Sequence, residues 1–205
     1  MNIGIIGAGS VGGGLGKAWA ARGHRVLFGV RDPHKDSVLA LLAEAGPNAA
    51  AGSVADAVAF GEVIVLAVGW GVVEDVLMSV SSWDGKVLID ATNRFEQAQR
   101  SAAEDVAVLA AGARVVKAFN TIGAEHFAAP QFGPVAASMF ICGDDPAALS
   151  AVAELAAELG FDPVDCGPLS NAMMLEAMAW LWVYLARAKT GRDIAFALLR
   201  RQSAR

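Results

Sequence analysis

The chain has 205 residues, enough for one well-packed domain or for a domain with a small appendage. Hydrophobic residues make up 55% of it, so a large core is available, and a net charge of −5 with scattered lysines and arginines argues against a nucleic-acid-binding surface. Two cysteines, Cys142 and Cys166, are too few for a disulfide framework, and we predict buried thiols. We expect a cytoplasmic protein that does not bind a membrane. No cleavable leader is visible, and the longest apolar run, 177–186, is about half of a membrane span.

Short apolar runs alternate with longer Ala- and Leu-rich stretches along most of the chain. The predicted strands are residues 3–6, 25–28, 63–68, 87–90, 114–118, 138–142 and 163–166. Most of these runs are continuously apolar, as is typical of parallel strands buried on both faces.

The helices between these strands have recognisable ends. Ser101 and Glu104 have the spacing of a capping box, Asp145 before Pro146 indicates an N-cap with a first-turn proline, and Gly160 ends the helix that follows. Strands and helices in this alternation predict an α/β fold with a doubly wound, mostly parallel sheet, the Rossmann type of NAD(P)-binding fold.

The alternation stops near residue 167. Residues 169–189, and then 192 to the end, have helical patterns, and no low-complexity linker separates them from what precedes. We therefore predict one compact unit over residues 1–205, with a Rossmann dinucleotide-binding core at 1–166 and a C-terminal helical extension at 167–205.

A glycine-rich turn directly follows the first strand and opens a helix. It reads Gly7-Ala8-Gly9-Ser10-Val11-Gly12, the GxGxxG pattern of dinucleotide-binding proteins. Gly7 allows the tight turn, Gly9 lets the backbone approach a pyrophosphate, and Gly12 lets the helix pack against the strand. The helix N-terminus adds unpaired N–H groups and the positive end of its dipole.

The end of the second strand indicates which dinucleotide is bound. NAD-binding sequences have an acid there for the ribose 2′-hydroxyl, whereas this strand ends in Val30 and Arg31, with Lys35 about one turn further on. A guanidinium can pair with the 2′-phosphate of NADP and stack on adenine. Asp32 is the alternative and would select NAD, but Asp32-Pro33 has the pattern of an N-cap and a first-turn proline, which would occupy the carboxylate. We therefore predict NADP(H).

Further segments extend these motifs along nearly the whole chain. The matching segments are 7–12, 29–33, 115–127, 142–145 and 165–171. In these segments the sequence resembles the NADPH-dependent coenzyme F420 reductases (F420H2:NADP oxidoreductases) and, more distantly, the cytosolic reductase domain of the membrane ferric reductases. The resemblance implies hydride transfer between NADPH and a second flat redox cofactor, coenzyme F420 or a flavin.

The resemblance and the turn together give a set of cofactor-binding residues. They are Gly7, Ala8, Gly9, Ser10, Val11 and Gly12 around the pyrophosphate, Val30, Arg31 and Lys35 around the 2′-phosphate, Val68 and Trp70 near the nicotinamide, and Asn120, Thr121, Ile122 and Ala124 in the acceptor region.

Four positions depart from the family pattern. Gly69 and Gly123 stand where members of the family have Pro, Asn120 where they can have His, and Met173 where a late Arg is common. These departures leave the dinucleotide site intact and leave the identity of the hydride acceptor open.

Hydride transfer between two stacked rings needs orientation and exclusion of water, and it need not use a protein acid or base. We predict no catalytic acid or base and no metal site. His126 could protonate a reduced ring nitrogen, although a solvated helical histidine is the favoured interpretation. Thr92 and Asn93 follow the fourth strand and could bind the nicotinamide ribose or carboxamide; an ordinary turn is an equal alternative.

An apolar stripe of Met, Trp and Tyr runs from Met173 to Tyr184. Core packing is one interpretation, and a homodimer interface is the other. Two alternative functions also remain open: an NADP-linked reductase of a small carbonyl or imine, and an NADP(H)-binding module without catalysis.

Overall fold

The computed structural model describes residues 1–96 and 98–201. The strands are β1 (Asn2–Ile6), β2 (Arg25–Gly29), β3 (Ala49–Gly52), β4 (Val63–Leu66), β5 (Val87–Asp90), β6 (Arg114–Lys117), β7 (Gln131–Phe132), β8 (Val135–Ala136), β9 (Ser138–Gly143) and β10 (Asp162–Asp165). The helices are α1 (Ser10–Ala20), α2 (Asp36–Ala45), α3 (Val54–Phe60), α4 (Val73–Met78), α5 (Ala102–Leu109), α6 (Pro146–Leu159) and α7 (Ala172–Leu185). Strands β7 and β8 form a separate two-stranded ribbon.

The remaining eight strands form one sheet in the order β10-β9-β6-β5-β4-β1-β2-β3. All neighbours are parallel except β6 and β9, which are antiparallel. The predicted doubly wound, mostly parallel sheet is thus confirmed. The strand order reverses between β1 and β4, and ligands of open α/β sheets bind in the crevice at the carboxyl ends of the strands at such a point.

Alternate residues of each central strand pack against opposite layers of helices. In β4, Val63 and Val65 belong to the apolar cluster with α1, α2 and α6, whereas Ile64 and Leu66 belong to the cluster with α3, α4, α5 and α7. All four are almost completely buried, which explains the unbroken apolar runs in the sequence. Burial of each such side chain contributes about 1.5–3 kcal/mol before entropy is counted.

The first helix lies unusually close to the second strand. A Cβ atom on Gly16 would collide with the ring of Phe28, and one on Gly13 would come within 3.2 Å of Leu41. Phe28 is fully buried. The additional glycines of α1 therefore serve close packing, and this packing fixes α1 relative to the carboxyl end of β2.

The predicted helix ends agree with the structure. Ser101 and Glu104 form a capping box, Oδ1 of Asp145 accepts a hydrogen bond from the backbone N–H of Ala148 at 2.7 Å, and Gly160 ends α6 with φ of +98°. Each cap satisfies backbone donors or carbonyls that the helix itself leaves unpaired.

The C-terminal extension is helical only in part. The sequence pattern predicts a helix from residue 192 to the end. Residues 192–201 have no regular secondary structure, so this prediction is wrong for them, and residues 202–205 lie outside the described residues. Gly191 has φ of +74° and interrupts the helix. The segment then finds its partners elsewhere: the carbonyl of Phe196 accepts from Ser138 N at 2.9 Å, and the carbonyl of Ile194 accepts from Trp182 Nε1 at 2.9 Å.

Candidate dinucleotide-binding site

The glycine-rich turn lies at the point where the strand order reverses. Gly7 has φ of +107°, and its N–H donates to the carbonyl of Gly29 at 3.1 Å. A side chain on Gly7 would collide with the carbonyl of Ala67, and one on Gly12 with the carbonyl of Gly7. The turn therefore requires glycine at both positions, as the sequence predicts.

The start of α1 is open to a ligand. Apart from Gly9 itself and its two neighbours in the chain, no described residue has an atom within 4 Å of the position that a Cβ of Gly9 would occupy. Gly9 is the N-cap residue, no side chain caps the helix, and its first turn has no acidic residue. Ala8 and Val11 are half-buried and Ser10 is exposed. Unpaired N–H groups and an uncompensated dipole are what a pyrophosphate binds.

At the carboxyl end of β2, the chain offers an exposed guanidinium. Val30 N donates to Gly52 O at 2.9 Å, which continues the β2–β3 pairing, and the next side chain, Arg31, is exposed. Arg31 has no hydrogen bond or ion pair with any residue that the structure describes. This is the position next to the adenosine ribose in Rossmann proteins.

The prediction that Asp32 caps α2 is wrong. The helix begins at Asp36, and Lys35, which is exposed, is its N-cap residue. Oδ1 of Asp32 instead accepts from the N–H of His34 at 2.9 Å in a local turn. The carboxylate is thus engaged by its own backbone, as expected, although by an Asx-type turn rather than by a helix cap.

The segment that follows β4 carries Val68 and Trp70, both half-buried. A Cβ on Gly7 would lie 3.0 Å from Cγ1 of Val68, so this side chain adjoins the start of the phosphate turn. The guanidinium of Arg94 lies 5.0 Å from the ring centroid of Trp70, within the range of a cation–π contact. Val68 therefore borders the glycine-rich turn, whereas Trp70 lines a cavity with residues of α4 and α5.

Two amide side chains join the ends of β5 and β6. Asn93 Nδ2 donates to the carbonyl of Asn120 at 3.2 Å, and Asn120 Nδ2 donates to Asn93 Oδ1 at 3.1 Å. Thr92 is buried, and its N–H and hydroxyl donate to Oδ1 of Asp90 at 2.9 and 2.7 Å. Thr92 therefore holds the turn itself, whereas Asn93 is half-buried at the edge of the crevice.

The predicted acceptor region lies against α1. Thr121 and Ile122 are buried, and Ala124 is half-buried. A Cβ on Gly14 would lie 3.2 Å from the carbonyl of Ala124, so this loop rests on the helix. Ala124 and Gly9 line the same cleft, which has a volume of about 740 Å³. The structure thus brings this loop to the phosphate turn, with only Ala124 at an open surface.

His126 is not a solvated helical residue, and that interpretation is wrong. It lies in a short 3-10 turn with its side chain 11% exposed, and its Nε2 lies 3.0 Å from the carbonyl of Arg192. This hydrogen bond from His126 to the Arg192 carbonyl connects the C-terminal segment to the loop after β6. His126 is not positioned as a proton source for a substrate.

A buried charge cluster at the same edge of the sheet was not predicted. Nζ of Lys117 donates to Asp90 Oδ2 at 2.9 Å and to the carbonyl of Thr92 at 2.7 Å, and lies 3.2 Å from Glu176 Oε1. The ammonium and the Asp90 carboxylate are completely buried. A signal was available in the sequence. Asp90 and Lys117 each end an apolar strand, and parallel pairing of β5 with β6 sets them opposite each other.

These features define the class. A GxGxxG turn at the reversal point of a doubly wound sheet, with an open helix N-terminus and a cation at the neighbouring strand, is the site of a dinucleotide-binding Rossmann protein.

Comparison with known proteins identifies the family. A family model described as NADP oxidoreductase coenzyme F420-dependent matches residues 2–94. The chain is 31% identical over 207 residues to the F420-dependent NADP reductase of Methanothermobacter thermautotrophicus, covering 90% of this chain and 89% of that protein. The crystal structure of a candidate F420-dependent NADP reductase from Arthrobacter sp. FB24 superposes with a TM-score of 0.89 at 28% identity, covering 98% and 100% of the two chains. The chain belongs to the F420-dependent NADP oxidoreductase family, as its motifs indicate.

Longer relatives contain only a part that resembles this chain. The match to rat metalloreductase STEAP3 is 33% identical over 183 residues, which is 86% of this chain and 36% of that protein. The corresponding share of mouse STEAP2 is 21%. Within the described ranges of this chain, no helix is both long and apolar enough to cross a bilayer.

Proposed function

We propose that this chain binds NADP(H) across the reversal point of its sheet and transfers hydride between the nicotinamide and a second flat redox cofactor, coenzyme F420 or a flavin. The observation that carries the proposal is the pairing of the open turn at Gly9 with the exposed, unpartnered Arg31 among the described residues. Amide N–H groups bind the pyrophosphate, and the guanidinium binds the 2′-phosphate.

The residues at the two ends of the crevice bind different parts of the cofactor. Val30 and Lys35 flank the guanidinium at the adenosine end, and Val68 and Trp70 border the nicotinamide. Ala124, which lines the cleft next to Gly9, would border the acceptor, and the acceptor would supply the second redox-active ring. Hydride transfer then depends on ring orientation and exclusion of water, and no side chain transfers a proton.

The bound cofactors supply the redox chemistry, and the residues present fit NADP(H). The space left by Gly9 is where the diphosphate would approach, and Asn93 at the edge of the crevice would orient the nicotinamide half. A cavity of about 470 Å³ lies beside this edge. It is lined by Arg94 and Arg100, both ion-paired with Asp105, and by Glu96, Glu176, Met173 and Trp180.

A turnover panel tests the proposal. NADPH is mixed with the protein and F420, FMN or FAD, and oxidation is followed by the loss of NADPH absorbance. Turnover with one of these acceptors is expected. Turnover only with small carbonyls or imines would overturn it in favour of a carbonyl or imine reductase. NADPH binding without turnover of any acceptor would identify a cofactor-binding module.

We also propose a homodimer that works in the cytoplasm. The outer face of α7 carries five large exposed apolar side chains: Met173, Met174, Trp180, Leu181 and Tyr184. A contiguous patch of Met and aromatic residues is typical of a subunit interface. Two unpaired thiols suit a reducing compartment.

A further inference from the structure

The ammonium of Lys117 connects three segments at the carboxyl edge of the sheet. It contacts Asp90 at the end of β5, the carbonyl of Thr92 in the following turn, and Glu176 in α7. Glu176 also accepts from the N–H groups of Ala102 and Ala103, the first two residues of α5, at 3.1 and 3.3 Å. One cation and two carboxylates therefore join β5, β6, α5 and α7.

Stability alone does not explain this cluster. Removing charges from water is costly, and well-packed apolar residues commonly replace a buried ion pair without loss of stability. Nζ of Lys117 donates to Asp90 and to the Thr92 carbonyl, pairs with the Glu176 carboxylate at 3.2 Å, and is completely buried. Lys117 therefore neither touches a ligand nor donates a proton to one. Its contribution is to the position of the groups around it.

The groups that it positions form the polar border of the crevice. Asp90 and the Thr92 carbonyl fix the turn that presents Asn93, and Asn93 interlocks with Asn120. Asn120 Nδ2 donates further to the carbonyl of Leu175 in α7, beside Glu176, at 3.2 Å. Two independent links, one ionic and one through amides, thus tie α7 to this border.

We infer that Lys117 is a positioning residue for hydride transfer. It holds the exits of β5 and β6 and the start of α7 as one rigid border, against which the nicotinamide half of the cofactor lies. The inference rests on the proposed function. It also assigns α7 a direct part in the geometry of the site, separate from its exposed apolar face.

The test uses a variant in which no buried charge is left without a partner of opposite charge. The variant Lys117→Met with Asp90→Asn and Glu176→Gln replaces all three charges by groups of similar size. Lys86→Met is the matched control. Lys86 directly precedes β5, at the end of the strand away from the crevice, and its Nζ donates to the carbonyl of Gly61 at 2.8 Å. Each variant is compared with wild type for thermal unfolding, kcat, KM for NADPH, and the Kd values of NADPH and of adenosine 2′,5′-bisphosphate, which lacks the nicotinamide.

The triple variant is expected to bind the bisphosphate within about twofold of wild type and to lose about ten- to a hundredfold in kcat, because a misplacement of about 1 Å has this effect. Lys86→Met should keep wild-type kcat. A folded triple variant with wild-type kcat, or with equal losses for bisphosphate and NADPH, would overturn the inference.

If the triple variant does not fold, the single variant Glu176→Gln decides the matter. It keeps the Lys117–Asp90 pair and weakens the contacts of Glu176 with Lys117 and with the start of α5, so an unchanged kcat would overturn the inference. The proposed function is judged separately, by turnover of the wild type. If the wild type turns over no acceptor, the ratio of its NADPH and bisphosphate Kd values still measures the nicotinamide contribution. That ratio must change in the variants.

Discussion

At the scale of single residues, the proposed role of the Arg31 guanidinium in cofactor preference can be tested directly. It is exposed at the end of β2 beside Val30, and no carboxylate among the described residues neutralises it. For Arg31→Ala we expect NADPH affinity to fall about ten- to a hundredfold, since a hydrogen bond between charged groups contributes about 1.5–3 kcal/mol. NADH affinity should not change. Titration of cofactor fluorescence measures both.

The control is Arg25→Ala at the opposite end of the same strand, where the guanidinium lies 5.3 Å from the ring centroid of Phe60. This variant should keep the preference for NADPH. Equal losses of NADPH and NADH in Arg31→Ala would show that the guanidinium does not bind the 2′-phosphate.

Gly9 and Gly12 belong to one motif but should respond differently to alanine. Gly9→Ala adds a methyl group to open space, so its Tm should stay near that of wild type while NADPH affinity falls at least about tenfold. Gly12→Ala forces a methyl group against the carbonyl of Gly7. We expect this to lower the free energy of unfolding by about 1–3 kcal/mol and therefore to lower the Tm. Thermal unfolding with and without NADPH distinguishes the two effects. A stable Gly9→Ala that still binds NADPH normally would contradict the assignment of the pyrophosphate.

Residues whose role is local could be predicted from the sequence, and residues whose role is long-range could not. Gly7, Gly9 and Arg31 belong to one strand–helix–strand unit, so their spacing along the chain is enough to predict a dinucleotide site there. Lys117 and Glu176 are 59 positions apart, and their proximity depends on how α7 docks. No periodicity in the sequence encodes that docking.

At the scale of elements, the C-terminal segment is held by a pair that depends on pH. Arg192 Nε and Nη2 lie 2.7 and 2.9 Å from the two carboxylate oxygens of Glu125, and this hydrogen-bonded guanidinium lowers the pKa of Glu125 below its usual value of 4.5. The pair is largely exposed and contributes less than about 1 kcal/mol.

Because the pKa of Glu125 is lower in the folded chain, its stabilisation is fully present above pH 4.5 and is lost as the pH falls through the lowered value. The hydrogen-exchange protection factors of residues 191–199, which correct for the intrinsic rate at each pH, should therefore fall on acidification. Glu125→Gln should exchange faster at neutral pH and respond less to acid. An identical pH response in this variant would exclude the pair as the cause.

Elements without a strong pattern were missed or misassigned. The edge strand β3 (Ala49–Gly52) reads Ala-Ala-Ala-Gly, which lacks the branched residues that favour strands, and it forms because β2 offers it a free edge. The segment after Gly191 has helical composition. Its backbone groups, however, bond to Ser138 and Trp182, and these tertiary contacts outweigh a weak helical propensity.

At the scale of the whole molecule, one thiol can report global unfolding. Cys142 is completely buried in β9, and burial raises its pKa to about 12. The thiolate is the reactive form, so Cys142 should react with iodoacetamide at mildly alkaline pH only when the chain unfolds. Burial also raises the pKa of Cys166, but this thiol is partly exposed and could react in the folded chain. The substitution Cys166→Ser removes that reaction, so that only Cys142 is labelled. Rapid labelling of the native variant would show that β9 opens locally.

The proposed dimer makes a second prediction for the whole molecule. Leu181 is 48% exposed and Met174 is 66% exposed on α7. We expect Leu181→Asp combined with Met174→Asp to convert the dimer to a monomer in sedimentation velocity, with little change in Tm because neither side chain is in the core. The matched control is Leu39→Asp on α2, which is also 48% exposed. A wild-type chain that remains monomeric at high concentration would rule out the dimer.

The interlock between Gly16 and Phe28 restricts how this protein can change over time. Phe28 occupies the volume that any larger residue at position 16 would need. An isolated replacement at position 16 should be rejected, whereas a smaller side chain at position 28 would make room for alanine. In a library randomised at both positions, we expect the folded variants to combine a larger residue at one position with a smaller residue at the other, so positions 16 and 28 evolve as a coupled pair.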